Sequence, residues 1–366
     1  MTVRRLLPYF AALMIGSLTS SATGASTVVP PYLPLQTDQA RKQDGPVPRC
    51  PAPVPAMVDM SGISTFYVPD RTKSTVDPEM MRAYVARTRD YQKMKTALIS
   101  LQRDWVGHPD ERSEISDCIR KTLIDWAGQG ALLGSLENNQ GYGRRQASLI
   151  IIWSAPAISI AYHLADRDGG LDARDKALLQ QWIGDLDSAM RAKFRLNAVG
   201  DKPAERPTNQ TAWAAAAGMY FASVTGNAEE LRWSFAELQR ILQSAEEDGS
   251  LPSETKRGKK ALAYQNFALI PIALLLNGAI ANDMSLSAED EKALLRIISF
   301  TARAWTHSGE LAERTGSEQL RKPENLIWID LLLPYVRARD AELANQLDRI
   351  ASPYRPFDGT FWGFDT

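Results

Sequence analysis

The chain has 366 residues, 44% of them hydrophobic and 23% charged, which is enough for one large core or two small domains. Its 42 Lys plus Arg against 43 Asp plus Glu leave a formal charge of −1, which excludes a broad nucleic-acid-binding surface and makes any attraction for a polyanion local. Histidine occurs only at 108, 163 and 307, in no ligand-spaced cluster, so no metal is expected, and nothing in the sequence implies an organic cofactor.

Residues 1–25 read as a secretory signal. Arg4 and Arg5 precede the apolar run Leu6 to Leu18, and small residues follow up to Ala22 and Ala25. Losing that leader would move the charge from −1 to −3. No later stretch appears apolar and uncharged for long enough to span a bilayer, so a periplasmic or secreted protein with no membrane span after cleavage is expected. Residues 26–60 are Pro-rich and aperiodic, and read as an extended arm ahead of a single domain over 61–366. Export to an oxidising space predicts one disulfide between Cys50 and Cys118, tying that arm to a helix. The alternative is two unrelated buried thiols.

From there the periodicity is helical almost throughout. Met80 to Trp105 and Ile115 to Leu133 carry apolar residues at helical spacing. Ala147 to Leu164 is apolar on most sides. Leu178 to Phe194, Thr211 to Val224, Leu231 to Ala245 and Lys259 to Leu276 follow, then Ala288 to Trp305, Glu324 to Val336 and Ala341 to Ile350. Gly, Pro and Asp clusters punctuate the links, as at Gly107 to Pro109 and Asp248 to Pro252. No run of alternating strands is visible. Roughly ten helices with short links predict stacked antiparallel hairpins, closing as a bundle, a solenoid or an α/α toroid.

Three segments could carry chemistry. In 251–269, the cations Lys256, Arg257, Lys259 and Lys260 stand just ahead of Tyr264 on a helix that otherwise turns apolar. Fixed positive charge beside a tyrosine favours its ionised form, which suits proton transfer, and the same cations can hold an acidic substrate. In 208–213, Asn209 and Gln210 supply amide donors. The third segment, 138–145, puts Asn139, Tyr142 and Arg144 in a loop before an apolar helix. They could bind sugar hydroxyls and carboxylates, or the loop could be a helix cap with solvated arginines. Trp153, Trp213 and Trp328 have apolar flanks and read as core residues rather than sugar platforms. His163 reads as structural.

Two of these segments resemble the alginate lyase family of α/α-toroid polysaccharide lyases. Leu251-Pro252-Ser253-Glu254, then Arg257, then Ala261-Leu262-Ala263-Tyr264-Gln265-Asn266 follows the family's Leu-Pro-x-Glu, Arg, Ala-Leu-x-Tyr-His-Asn. Thr208-Asn209-Gln210 with Trp213 is similar to its Asn-Asn-His-x-x-Trp. The resemblance implies an all-α incomplete toroid and a lyase for a uronate-containing, anionic polysaccharide. It implies that Tyr264 is the catalytic tyrosine, Arg257 the active-site arginine, and Asn209 the amide that binds the substrate carboxylate. Gln210 stands in place of the family's catalytic histidine, and Gln265 in place of the histidine after the tyrosine. The family's N-terminal lysine has no counterpart near Thr65-Phe66-Tyr67. Lys256, Lys260 and Gln265 are expected to touch substrate.

The glutamine discriminates between mechanisms. It cannot take a proton at neutral pH, so Tyr264 must act as both base and acid on one face of the sugar. Such syn elimination suits mannuronate or glucuronate and suits guluronate poorly. Two rivals remain from the sequence: a non-catalytic polyuronate-binding or exopolysaccharide export protein, and a toroid glycoside hydrolase. The hydrolase needs two carboxylates flanking the bond, and only Glu254 presents itself.

Overall fold

The computed structural model describes residues 28–31, 50–68, 75–139, 141–167, 169–194 and 207–354. The segment at 1–25 that reads as a leader lies outside the described residues. Among those described, thirteen α-helices account for almost all regular structure, and strand pairing is limited to the isolated bridges Asp59 with Gly134 and Tyr67 with Val76. The helices are α1 Pro78–Arg87, α2 Arg89–Gly107, α3 Arg112–Gly128, α4 Gly141–Arg167, α5 Ala173–Phe194, α6 Asn209–Thr225 and α7 Ala228–Gln243. They continue with α8 Pro252–Thr255, α9 Ala261–Ala281, α10 Ala288–Thr306, α11 Gly309–Thr315, α12 Trp328–Arg337 and α13 Ala341–Ala351.

Helices α2, α4, α6, α9 and α12 pack side by side as an inner layer, each against the next. Helices α3, α5, α7, α10 and α13 back them from outside. Among the described residues α2 and α12 do not pack as neighbouring inner helices do, so the ring stays open, an incomplete α/α toroid as the sequence predicts. Composition explains the two layers. The outer α7 and α13 are amphipathic, each burying one leucine-rich stripe. The inner α6 is rich in Ala and is buried on every side, so small side chains let the helices around it approach closely.

Helices α4 and α9 are apolar and long enough to cross a bilayer by composition, contrary to the sequence expectation for the mature chain, but both bury most of that surface against other helices. Each carries an internal proline, Pro156 or Pro271.

Three boundaries differ from the periodicity reading. The first predicted helix is two, because Thr88 leaves helical geometry and both its N–H and its Oγ1 donate to the Tyr84 carbonyl. The predicted extension of α3 to Leu133 stops at Gly128, because the chain turns left-handed at Gly130 and Leu132 and Leu132 N–H donates to Met57 of the arm. The short α8 and α11 have no periodic signal of their own.

Residues 50–66, which take in the described end of the segment read as an arm and the first residues after it, are non-helical and stitched down. Met60 N–H donates to Gly134, Gly134 N–H to Val58, and Trp126 Nε1 to Val54. Cys50 is disulfide-bonded to Cys118 in α3, with Cα atoms 5.3 Å apart. Closing that loop of about 70 residues stabilises the fold by about 4 kcal/mol in the chain-entropy model.

Candidate active site

The N-terminal parts of α4, α6 and α9 border a cavity of about 310 Å³. Its walls come from five places in the chain. Thr65, Phe66 and Tyr67 come from the arm; Arg145, Gln146, Leu149 and Trp153 from α4; Asn209 and Gln210 from α6. Glu254, Arg257, Lys260, Tyr264 and Phe267 come from α8 and the start of α9, and Lys322 and Asn325 from the turn before α12. Among the described residues four cations face one acid, Glu254. With helix N-termini converging there as well, the cavity attracts anions.

Each element holds its site residue for a local reason. Thr208 caps α6 through a reciprocal pair with Thr211: Thr211 N–H donates to Thr208 Oγ1 and Thr208 N–H to Thr211 Oγ1. That fixes Asn209 and Gln210 in the first turn. Gly249 adopts φ +92°, and a side chain there would collide with the backbone of Arg296, so the chain turns tightly into Leu251 and α8. Arg257 precedes a 3₁₀ turn, Gly258–Lys260, which reverses the chain so that its side chain returns over α9.

The result is a stacked array. The Arg257 guanidinium lies 3.9 Å from the Tyr264 ring centroid and 6.0 Å from that of Tyr67. The two tyrosine hydroxyls are 2.8 Å apart. Burial raises the Tyr67 phenol well above its ordinary range, and the neighbouring Tyr264 adds to that. Tyr67 therefore stays protonated and is the natural donor in the shared bond. Lys260 holds its ammonium 4.7 Å from the Tyr67 ring centroid.

On the opposite wall Asn209 is anchored. Its backbone N–H donates to Glu254 Oε1 at 2.9 Å, and its Nδ2 donates to Glu254 Oε2 at 2.7 Å. Ser253 Oγ also donates to Glu254. Burial pushes the Glu254 carboxyl up, opposed by those hydrogen bonds and by the charge of Arg257. This burial also removes Asn209 from use as a glycosylation acceptor, despite its Asn-x-Thr triplet.

The four residues expected to carry the chemistry, Tyr264, Arg257, Asn209 and Gln210, are brought together in this cavity. Of the expected substrate contacts whose side chains are described, only Lys260 joins them. Gln265 is fully buried outside the cavity: it accepts from Leu251 N–H at 3.1 Å and donates to the Gly249 carbonyl. One step from Tyr264 turns a side chain about 100° around a helix, so the two cannot share a face. Lys256 is exposed and points away from the cavity, because the turn after α8 carries it outward. Asn139 is buried with Nδ2 donating to the Met60 carbonyl, holding the arm rather than a ligand. Arg144 is exposed outside the cavity, whose wall is formed instead by the next two residues, Arg145 and Gln146. The Tyr142 side chain lies outside the description.

Trp213 and Trp328 are core residues as expected, whereas Trp153 is half-buried and lines the cavity. Sequence reasoning missed Tyr67, Gln146, Trp153, Lys322 and Asn325. For Gln146, Leu149 and Trp153 a signal existed: spacings of three and four place all three on one face of α4. None of the three histidines lines the cavity. His163 shares a hydrogen bond with Ser223 at 2.9 Å in the helix packing, and burial lowers it to about 4. Among the described residues no cluster of His, Cys, Asp and Glu could hold a metal ion.

Comparison with known proteins agrees with this geometry. The family model described as alginate lyase matches residues 64–311. An alginate lyase of Pseudomonas aeruginosa (strain PAO1) is 24% identical over 364 residues, covering 97% of this chain and 94% of that protein. One from Pseudomonas syringae pv. tomato is 25% identical, covering 90% and 86%. Among solved structures, alginate lyase A1-III from Sphingomonas species A1 shares the fold with a TM-score of 0.63 at 19% identity, covering 84% of this chain and 83% of that one. A variant of A1-III complexed with tetrasaccharide gives 0.68 at 18% identity, covering 86% and 90%.

Proposed function

The chain belongs to the alginate lyase family, and from that premise we propose that it is an exported polysaccharide lyase that cleaves mannuronate or glucuronate polymers by syn β-elimination, with Tyr264 as base and acid. One observation carries the reading: among the described residues the Tyr264 hydroxyl bonds to Tyr67 while Arg257 stacks on its ring, in a cavity shared with the amides at 209 and 210 and lined by no histidine.

The chemistry runs as follows. The C5 proton of a uronate is weakly acidic, so its carboxylate must be neutralised before charge can spread into it. Asn209, Gln210 and Arg257 supply donors and positive charge for that purpose. Ionised Tyr264, held by a hydrogen bond from Tyr67, takes the C5 proton. The C5–H electrons form the C4–C5 double bond as the C4–O bond breaks. Tyr264 then gives the same proton to the departing C4 oxygen and returns to its ionised form. Gln210 can donate a hydrogen bond but cannot relay a proton. The C5 proton and the C4 oxygen must therefore lie on the side of the ring facing Tyr264. They do so in mannuronate and glucuronate, not in guluronate. The leader-like segment at 1–25 and the Cys50–Cys118 bond support export, to the periplasm or beyond.

The test is ultraviolet absorbance of the conjugated product while the purified protein meets mannuronan, guluronan, glucuronan and glucuronate-bearing exopolysaccharides. A rise on mannuronan or glucuronan is expected. A rise on guluronan alone would overturn the syn mechanism. A flat trace on every polymer with retained binding would mark a polyuronate-binding protein.

A further inference from the structure

We infer that Glu254 is a positioning residue of this site: it fixes the rotation of the Asn209 amide and so decides which atoms of that amide meet the substrate carboxylate. The inference rests on the lyase reading above.

Glu254 is fully buried and, among the described residues, is the one acid on a cavity whose other charged side chains are cations. A carboxylate is a costly group to bury beside a site for anions, unless it is matched donor for donor. Here it is matched, and two of its three hydrogen bonds come from a single residue. Oε1 takes the Asn209 backbone N–H and Oε2 takes its Nδ2, at 2.9 and 2.7 Å. A planar carboxylate bonded at both ends to one residue locks the backbone and the side-chain torsions of that residue together.

Two consequences follow for the site. First, the amide orientation is assigned: Nδ2 faces Glu254, so Oδ1 and the second Nδ2 hydrogen are the atoms left for a ligand. Second, the backbone N–H at the start of α6 is already occupied. A substrate carboxylate at this helix end cannot use that N–H and meets instead the side chains of Asn209, Gln210 and Arg257. Glu254 also lies three residues before Arg257, whose charge it attracts, so one buried group ties the amide wall to the arginine stack.

The experiment is a double-mutant cycle in kcat/KM on the preferred polymer, using Glu254→Gln and Asn209→Ala. Glu254→Gln presents an N–H where Asn209 needs an acceptor. It is expected to lower kcat/KM by about 10- to 100-fold, mostly in kcat. If Glu254 acts through Asn209, the double variant loses no more than about twofold beyond Asn209→Ala alone. Losses that multiply would overturn the inference and leave Glu254 a structural residue. Glu254→Asp keeps the charge and is expected to restore part of the lost kcat. Should the variants fail to fold, the wild-type protein still decides by NMR. One Asn209 side-chain amide proton must be strongly deshielded relative to the other, and two equivalent, averaging protons would overturn the inference. A wild type that yields no unsaturated product from any polymer would instead sink the lyase reading, and the NMR arm would stand apart from it.

Discussion

Over its first two turns α9 presents two faces of opposite use. Tyr264 and Phe267 face the cavity, and Gln265 and Asn266 face the helix packing. All but Phe267 carry polar groups, and each polar group has partners, so partner identity is what separates them. Gln265 bonds to the backbone of Leu251 and Gly249. Asn266 donates to the Leu262 carbonyl and accepts from Trp328 Nε1 at 2.9 Å. Those partners are fixed parts of the core. Among the described residues the Tyr264 hydroxyl has only that of Tyr67, and Arg257 stacks on its ring, both being cavity side chains. A polar group held by backbone serves the fold, whereas one held by other cavity side chains can exchange them for a ligand.

The strongest way to break that distinction is Tyr264→Phe. It removes the proton-transfer oxygen and one hydrogen bond that is not buried in the core. The expected outcome is a fall in kcat of about 10³-fold or more, with Tm almost unchanged. Retained activity would remove Tyr264 from the chemistry. Gln265→Ala should do the reverse. It strands Leu251 N–H and leaves a cavity, costing about 2 kcal/mol and lowering Tm by a few degrees. The KM of the folded fraction should hold within about twofold. A large KM change at unchanged Tm would return Gln265 to the binding surface.

The same contrast runs along α4, from Gln146 and Trp153 at the cavity to His163 in the helix packing, and there it predicts a pH dependence. Burial holds His163 at about 4, against about 6.5 when unfolded. The unfolded chain therefore binds the extra proton between those values, and stability falls as pH drops from 6.5 toward 4. The full loss is about 3 kcal/mol, with no further contribution from this group below 4. Chemical denaturation across that window, compared with His163→Gln, checks it: the variant should lose most of the slope. An unchanged slope would show that His163 is not the group responsible.

How legible the molecule was depends on how local the determinant is. Helix periodicity and the two motif segments are local. They suffice for the toroid and for Tyr264, Arg257, Asn209 and Gln210, because each segment builds its own part of the wall. Tyr67, Lys322 and Asn325 come from segments that approach the cavity only when the arm and the turn before α12 fold onto the inner helices. No spacing along the chain records that approach. Trp153 was hidden by its apolar flanks, since a helix end that lines a cavity and one that enters the core share the same pattern. Gln265 shows a different failure: a motif was read as a block when a helix distributes it over two faces.

The lysines test that last point at the smallest scale. Lys256 and Lys260 are four apart in one basic run, yet Lys256 is exposed outside the cavity and Lys260 stands over the Tyr67 ring inside it. Were the run simply a charged collar, the two would steer polymer equally, and either change to methionine would raise KM by the same small factor. Since one ammonium lies at the wall and the other in solvent, Lys260→Met is expected to raise KM about threefold and Lys256→Met less than about 1.5-fold. The difference should shrink only slightly as salt is raised, because a charge at a cavity wall is screened less than one in open water. Equal shifts that vanish together in salt would mean that the basic run acts from a distance, and that the wall recognises its substrate through Arg257 and the amides alone.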